Sequence, residues 1–172
     1  MRIPTLFLTL ACTLVACGGD DGGGPVDSGL PAERKGSELS DAEATQLCEA
    51  RGEQFGDQLS TEDLKQQSCV LSGLAAAGLG GGLVETCETF YDMCMKMEFT
   101  PTDGGGGACM LGFELSTCEA TVSVIEDCLT EQNNATAAAL KALSCDDLAK
   151  DPVTPTTGPA CTTAKATCPG IA

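Results

Sequence analysis

Cysteine is the residue type in this chain that can do chemistry, and its 172 residues include 12 of them. Thiolates act as nucleophiles, redox couples and metal ligands, and paired thiols form disulfides. Spacing decides among these uses. No C-x-x-C redox pair occurs, and beyond residue 17 the closest cysteines, Cys87–Cys94 and Cys161–Cys168, stand seven apart, too far for a zinc finger or ribbon. The chain has no His, so Ser-His-Asp and Cys-His catalysis and His-ligated zinc or haem are excluded. Asp plus Glu outnumber Lys plus Arg 25 to 9, and a net charge of −16 argues against binding nucleic acid.

Other chemistry-bearing groups give way to plainer readings. Met93-Cys94-Met95-Lys96-Met97, with Met110, offers soft ligands of the kind Cu(I) takes. Met93 and Met97 are i, i+4, however, and extend an apolar helix face, which favours core packing. Gly104–Gly107 lacks the Lys-Ser/Thr of a phosphate loop and reads as a spacer. Asp20, Asp21 and Asp27 do not fit a calcium loop. Adjacent acids on a helix point apart, so Glu126-Asp127 reads as a solvated face; Asp146-Asp147 has a capping role. No catalytic residue, metal ligand or cofactor is assigned, and the expectation is a protein that is not an enzyme.

The N-terminus explains two of the cysteines. Met1-Arg2 is positive, and Ile3–Ala16 is mostly apolar. That stretch suits a signal peptide and is too short to cross ~30 Å of hydrocarbon. It ends in Leu14-Val15-Ala16-Cys17, which resembles the bacterial lipobox. The resemblance implies cleavage before Cys17 and acylation of that residue, giving a membrane anchor. In the lipoproteins this resembles, Asp at the next position favours inner-membrane retention, so Gly18 implies the outer membrane. Cys12 leaves with the leader. Ten remain: Cys48, Cys69, Cys87, Cys94, Cys109, Cys118, Cys128, Cys145, Cys161 and Cys168. An even set in an oxidising envelope predicts five disulfides. Aromatics are only 3% of the chain, so the core is thin. Bridges worth ~2–4 kcal/mol each are then a large share of a total stability of ~5–15 kcal/mol. Level positions on neighbouring helices suggest Cys48–Cys69, across a hairpin of the first two helices, and Cys118–Cys145.

These cysteines must be placed by helices. Leu-Ser-x-x-acid recurs at Leu39–Glu43, Leu59–Asp63, Leu115–Glu119 and Leu143–Asp147, each reading as a capping box with a hydrophobic staple. Helices are predicted over 41–56, 61–78, 83–98, 117–132 and 135–143, with a turn near 145–150; Asn133-Asn134 is read as the break before the fifth. Leu83, Cys87, Phe90, Cys94 and Met97 form one apolar stripe, and Cys118, Val122, Ile125 and Leu129, with Cys128 alongside, another. Gly18–Gly36 is Gly-rich and reads as a flexible tether. The Pro/Thr-rich tail from Asp151 is expected to be irregular and stapled by Cys161 and Cys168. The prediction is an all-α fold, a small disulfide-stapled bundle of about five helices, divided as 1–16 signal peptide, 17–37 anchor and linker, and 38–172 helical domain.

The lipobox, the Cys17-Gly-Gly-Asp-Asp-Gly-Gly-Gly24 run, the segment Cys118-Glu-Ala-Thr-Val-Ser-Val-Ile-Glu-Asp-Cys-Leu129 and Leu143-Ser-Cys-Asp-Asp147 together resemble predicted cysteine-rich envelope lipoproteins of myxobacteria and related bacteria. That resemblance implies an exported, lipid-anchored protein of the cell envelope, and it brings no catalytic residues. The expected role is structural or protein-binding, with the membrane through Cys17 and an envelope protein as partners and no nucleic acid. The alternative is a lipid- or small-ligand-binding module with a cavity lined by Leu83, Phe90, Ile125 and Leu129.

Overall fold

The computed structural model describes residues 23–79, 82–99, 111, 113–149 and 158–171. They form five α-helices: α1 (Asp41–Asp57), α2 (Thr61–Leu79), α3 (Val84–Met95), α4 (Val122–Ala142) and α5 (Pro159–Lys165). Short 3₁₀ turns lie at Gly36–Glu38, Leu115–Thr117 and Cys145–Ala149. Among the described residues the only β pairing is an isolated bridge, Lys35 to Thr121. The protein is therefore an all-α, disulfide-stapled bundle.

Two of the four Leu-Ser-x-x-acid boxes start α-helices, and a third starts the 3₁₀ turn Cys145–Ala149. At α1 the Ser40 N–H and hydroxyl both donate to Glu43 Oε2, at 3.0 and 2.7 Å. At α2 the box closes in both directions: Ser60 N–H donates to Asp63 Oδ2 at 2.9 Å, and Asp63 N–H donates to Ser60 Oγ at 3.0 Å. At the last turn Ser144 N–H donates to Asp147 Oδ2 at 2.8 Å. The fourth box does not start a helix. Leu115–Thr117 is a single 3₁₀ turn, and α4 begins only at Val122. Its chain is instead held extended by long-range partners. Gly36 N–H donates to the Ala120 carbonyl, Ser37 N–H to Cys118 O and Glu119 N–H to Thr167 O. Lys35 takes the Glu119 carboxylate at 2.7 Å. Tertiary pairing outbids the local capping signal here.

The expected break at Asn133-Asn134 is absent, because α4 runs unbroken through it. Asn133 is buried, and its amide donates to Arg51 O at 2.9 Å and Gln54 Oε1 at 2.7 Å. Asn134 Oδ1 accepts from Gln58 Nε2 at 2.8 Å. Two residues that weaken an isolated helix are kept in it by partners on α1 and at its C-cap. The tail is likewise not irregular throughout. Pro159 sits in the first turn of α5, where its missing N–H costs nothing. Glu131 of α4 caps that helix, accepting from the N–H groups of Ala160 and Cys161, both at 3.0 Å.

The flexible-linker reading fails from Gly23 onward. Val26 and Ser28 are buried. Val26 N–H donates to Thr130 Oγ1 at 2.9 Å, and the Ser28 N–H and hydroxyl both reach Glu126 Oε1, at 2.8 and 2.6 Å. Gln46 and Gln54 of α1 donate to the carbonyls of Ser28 and Gly24, at 2.6 and 3.0 Å. Glycine-rich sequence thus lies along the α1–α4 seam as a strap; the earlier part of the predicted linker falls outside the described residues.

Packing falls into two halves. In the larger, α1 and α5 lie against α4 around Leu47, Ile125 and Leu129, with Cys118–Cys168 (Cα–Cα 4.0 Å) and Cys128–Cys161 (4.3 Å) inside the cluster. In the smaller, α2 packs on α3 and on the 145–149 turn, tied by Cys69–Cys94 (5.4 Å) and Cys87–Cys145 (5.6 Å). The expected α1/α2 hairpin does not form, so Cys48–Cys69 is corrected: α2 turns to α3 and gives Cys69 to Cys94. Cys118–Cys145 is corrected as well, since Cys118 faces the C-terminal segment and Cys145 faces α3. Cys48 is also disulfide-bonded, while Cys109 lies outside the described residues.

Glycine marks the tightest approach in the smaller half. A Cβ on Gly73 of α2 would stand 2.7 Å from the Cys87 carbonyl oxygen of α3. That neighbour is backbone and cannot swing aside. Gly73→Ala is expected to destabilise the protein by ~1–3 kcal/mol, the usual cost of overpacking, although Ala is the better helix former. Urea melts of the two proteins measure it; equal or greater stability in the variant would show that α2 and α3 are not in such close contact.

Candidate docking face on α3

The site is built by the two disulfides of the smaller half. Cys87 and Cys94 are seven residues apart and so lie on one side of α3. Their bonds to Cys145 and Cys69 pull that side against the 145–149 turn and α2. The predicted stripe of Leu83, Cys87, Phe90, Cys94 and Met97 is therefore split along its length. Cys87 is fully buried, whereas Leu83, Phe90 and Met97 are 58, 44 and 58% exposed. Met93 is 54% exposed. The reading of Met93 and Met97 as core is overturned. With the cysteine side of α3 turned inward, Tyr91 and Val84 are half-buried and the other flank faces outward.

This flank borders an open groove lined by Thr89, Asp92, Met93, Lys96 and Met97. A second concavity, about 280 Å³, lies between α2, α3 and the last turn, with Val70, Glu88, Tyr91, Leu143 and Cys145 among its lining residues. Its volume falls just below the ~300–1,000 Å³ typical of a small-ligand site. The cavity expected from Leu83, Phe90, Ile125 and Leu129 is not assembled. Ile125 and Leu129 are fully buried in the α1–α4–α5 core, while Leu83 and Phe90 lie on the surface of the other half.

The remaining candidates sort by contact. Cys94 is bonded to Cys69, so the Met93–Met97 run presents no thiolate. Among the described residues no three His, Cys, Asp or Glu side chains are grouped to hold a metal ion. Glu126, read as solvated, instead anchors the strap at Ser28; Asp127 and Asp146 are exposed, and Asp147 caps. Sequence reasoning missed Glu126 and Glu131, whose partners lie 98 and 29 residues away. No described helix is long and apolar enough to cross a membrane. Cys17, Cys109 and Gly104–Gly107 lie outside the described residues.

No protein-family model, curated protein or solved structure matches this chain.

The carboxylates with clear electrostatic partners are structural. Glu43 is held down to about 2, first by the Ser40 N–H, then by the Ser40 hydroxyl and the Arg34 guanidinium. Ser60 lowers Asp63 in the same way, and hydrogen bonds from Lys35 and Ser37 lower Glu119. A carboxylate whose folded-state value is depressed adds stability above its unfolded value, and that stability is lost as pH falls through the folded one. For Glu43 the window runs from 4.5 down to about 2. Thermal melting should therefore be level near neutrality and fall through that window. An NMR titration of Glu43 should have its midpoint near 2, moving up toward the ordinary value in Ser40→Ala. A Glu43 midpoint unmoved by Ser40→Ala would show that the cap does not hold the carboxylate.

Proposed function

We propose that this chain is a cell-envelope lipoprotein, anchored through acylated Cys17, whose role is non-enzymatic and whose helical domain binds another protein of the envelope. One observation carries the binding half of this reading: four large apolar side chains stand exposed on a covalently fixed helix and at its ends, Phe90 and Met93 on α3 and Leu83 and Met97 just before and after it. Isolated exposed apolar residues are ordinary on protein surfaces, but a contiguous row of them marks an interaction site. The anchor half rests on Leu14-Val15-Ala16-Cys17 after its apolar leader, and on the resemblance to myxobacterial envelope lipoproteins. The disulfides support export, because such bonds persist in oxidising compartments. Gly18 supports the outer membrane as the destination. The ligand-binding alternative has the cleft beside Tyr91 in its favour, and its size and two neighbouring acids, Glu88 and Asp146, suit it less well.

Two measurements test the anchor. Metabolic labelling with a radioactive fatty acid should mark the wild-type protein and leave Cys17→Ala unlabelled; equal labelling of both removes Cys17 as the acceptor. Peptide mapping without reduction should find Cys48 joined to Cys109, the one cysteine of the ten without an assigned place. A Cys48–Cys17 bond would be incompatible with the lipid anchor. The binding reading is tested by crosslinking in intact envelopes, where Phe90→Asp should abolish an adduct that the wild type forms. An adduct pattern indifferent to that change would take the α3 face out of the proposal.

A further inference from the structure

The four described bridges differ in how deeply they are set. Cys118, Cys128, Cys161 and Cys168 of the larger half are all fully buried and belong to its apolar cluster. In the smaller half only one cysteine of each pair is fully buried, Cys69 and Cys87; their partners Cys94 and Cys145 are half-buried. Little apolar packing surrounds them. Among the described residues of α2, α3 and the 145–149 turn, the buried apolar side chains other than cysteine are Val70 and Ala77.

Access then singles out one bridge. Cys145 lines the cleft between α2, α3 and the last turn, with Gln66, Glu88, Tyr91 and Asp146 beside it. At about 280 Å³ that cleft admits a small thiol reagent. Neither of the two concavities described above is lined by a cysteine of the larger half. Thiol–disulfide exchange needs a thiolate to reach one sulfur of the bridge, so accessible bridges are the labile ones, and a buried bridge waits for local unfolding.

The segment that carries Cys145 also holds its own start together. Ser144 N–H and hydroxyl donate to Asp147 Oδ2 at 2.8 and 3.1 Å, and Asp147 N–H donates to the Ser144 carbonyl at 3.1 Å. None of these bonds involves α3, so the turn can part from that helix without losing them.

We propose that Cys87–Cys145 is a reductive switch, opened by a low-molecular-weight dithiol in this cleft while the bridges of the larger half stay closed. One thiolate of the dithiol attacks Cys145 Sγ, the S–S bond breaks, and Cys87 leaves as a thiolate. The second thiolate displaces Cys145 from the mixed disulfide, and the dithiol ends as a cyclic disulfide. Two electrons pass from the dithiol to the bridge, and its two protons end on Cys87 and Cys145. The last turn is then untied from α3, which stays bonded to α2 through Cys94–Cys69. Glu88 and Asp146 repel the attacking anion and so act as a brake. The switch does not depend on what the α3 face binds.

The test uses the chain from residue 17 with Cys17→Ala, so that the thiols labelled are those of the domain. It is treated with dithiothreitol, alkylated at timed intervals and mapped by mass spectrometry. Cys87 and Cys145 should become alkylated at least about tenfold faster than Cys118, Cys128, Cys161 and Cys168. Tyr91 is the single tyrosine of a chain without Trp, so its emission should change with the rate of that first phase. Far-UV circular dichroism should hold until the slower phase. Gln66→Phe narrows the cleft and should slow the opening by about threefold or more, and Glu88→Gln should speed it about twofold at low salt.

Alkylation of all these cysteines in one phase, or of Cys69 and Cys94 ahead of Cys87 and Cys145, overturns the inference. So does loss of helicity in the first phase. An opening rate unmoved by Gln66→Phe overturns it when that variant melts at the wild-type temperature; when it does not, a rate unmoved by Glu88→Gln, a change at an exposed position, does so.

Discussion

Two bonds between sulfur atoms, Cys118–Cys168 and Cys128–Cys161, fix the C-terminal segment along α4, and the larger half of the molecule is arranged around that helix. Four of the eleven residues in its buried cluster are these cysteines. The bridges therefore serve twice. They shorten the unfolded chain's list of conformations, and they fill apolar volume that a chain with five Phe and no Trp does not otherwise supply. Leu47, Val122, Ile125 and Leu129 are the largest fully buried side chains besides the cysteines. A core this lean leaves little to hold α1 in place by hydrophobic contact alone.

Polar groups take up that task. Arg51 and Gln54 of α1, with Gln58 at its C-cap, meet Gln132, Asn133 and Asn134 of α4 through direct hydrogen bonds. Arg51 also donates to the Leu111 carbonyl at 3.2 Å, and its partial burial lowers its pKa from the usual value. Among the described residues its hydrogen bonds go to neutral oxygens, within a strongly acidic molecule. Such a seam depends on position, because each amide finds its partner at one register only and a slip would strand buried donors and acceptors. The strap at Gly24–Ser28 uses the same device, reading Gln54, Gln46 and Glu126 across the joint.

What the sequence made legible was local. Ser40, Ser60 and Ser144 announce their turns because the capping acid is three residues away. The buried row Cys118, Val122, Ile125 and Leu129 is likewise legible, since a helix repeats its faces on its own. What stayed hidden depends on distant partners. Asn133 looks like a helix breaker until Arg51 and Gln54, some eighty residues earlier, satisfy its amide. Gly23–Gly36 looks like a solvated linker until Thr130 and Glu126 receive its N–H groups. On α3 the apolar residues were visible and their exposure was not, because the pairing of Cys87 and Cys94 decides which flank turns inward. Helical-hairpin geometry gave the wrong bridges, since it assumed that neighbours in sequence are neighbours in space.

The docked strap has a consequence for where a lipid-anchored form of this domain would operate. Were Cys17 acylated, residues 18–22 would span from the lipid to the packed chain at Gly23, a reach of about 20 Å if fully extended. A domain of roughly this size has a radius of gyration near 15 Å. Such a tether would be no longer than the body it holds, and an anchored molecule would not sample the depth of the surrounding compartment. Its encounters become those of a thin layer, set by surface density and lateral diffusion. Effective concentration within that layer, more than affinity in solution, would decide which partners the α3 face meets.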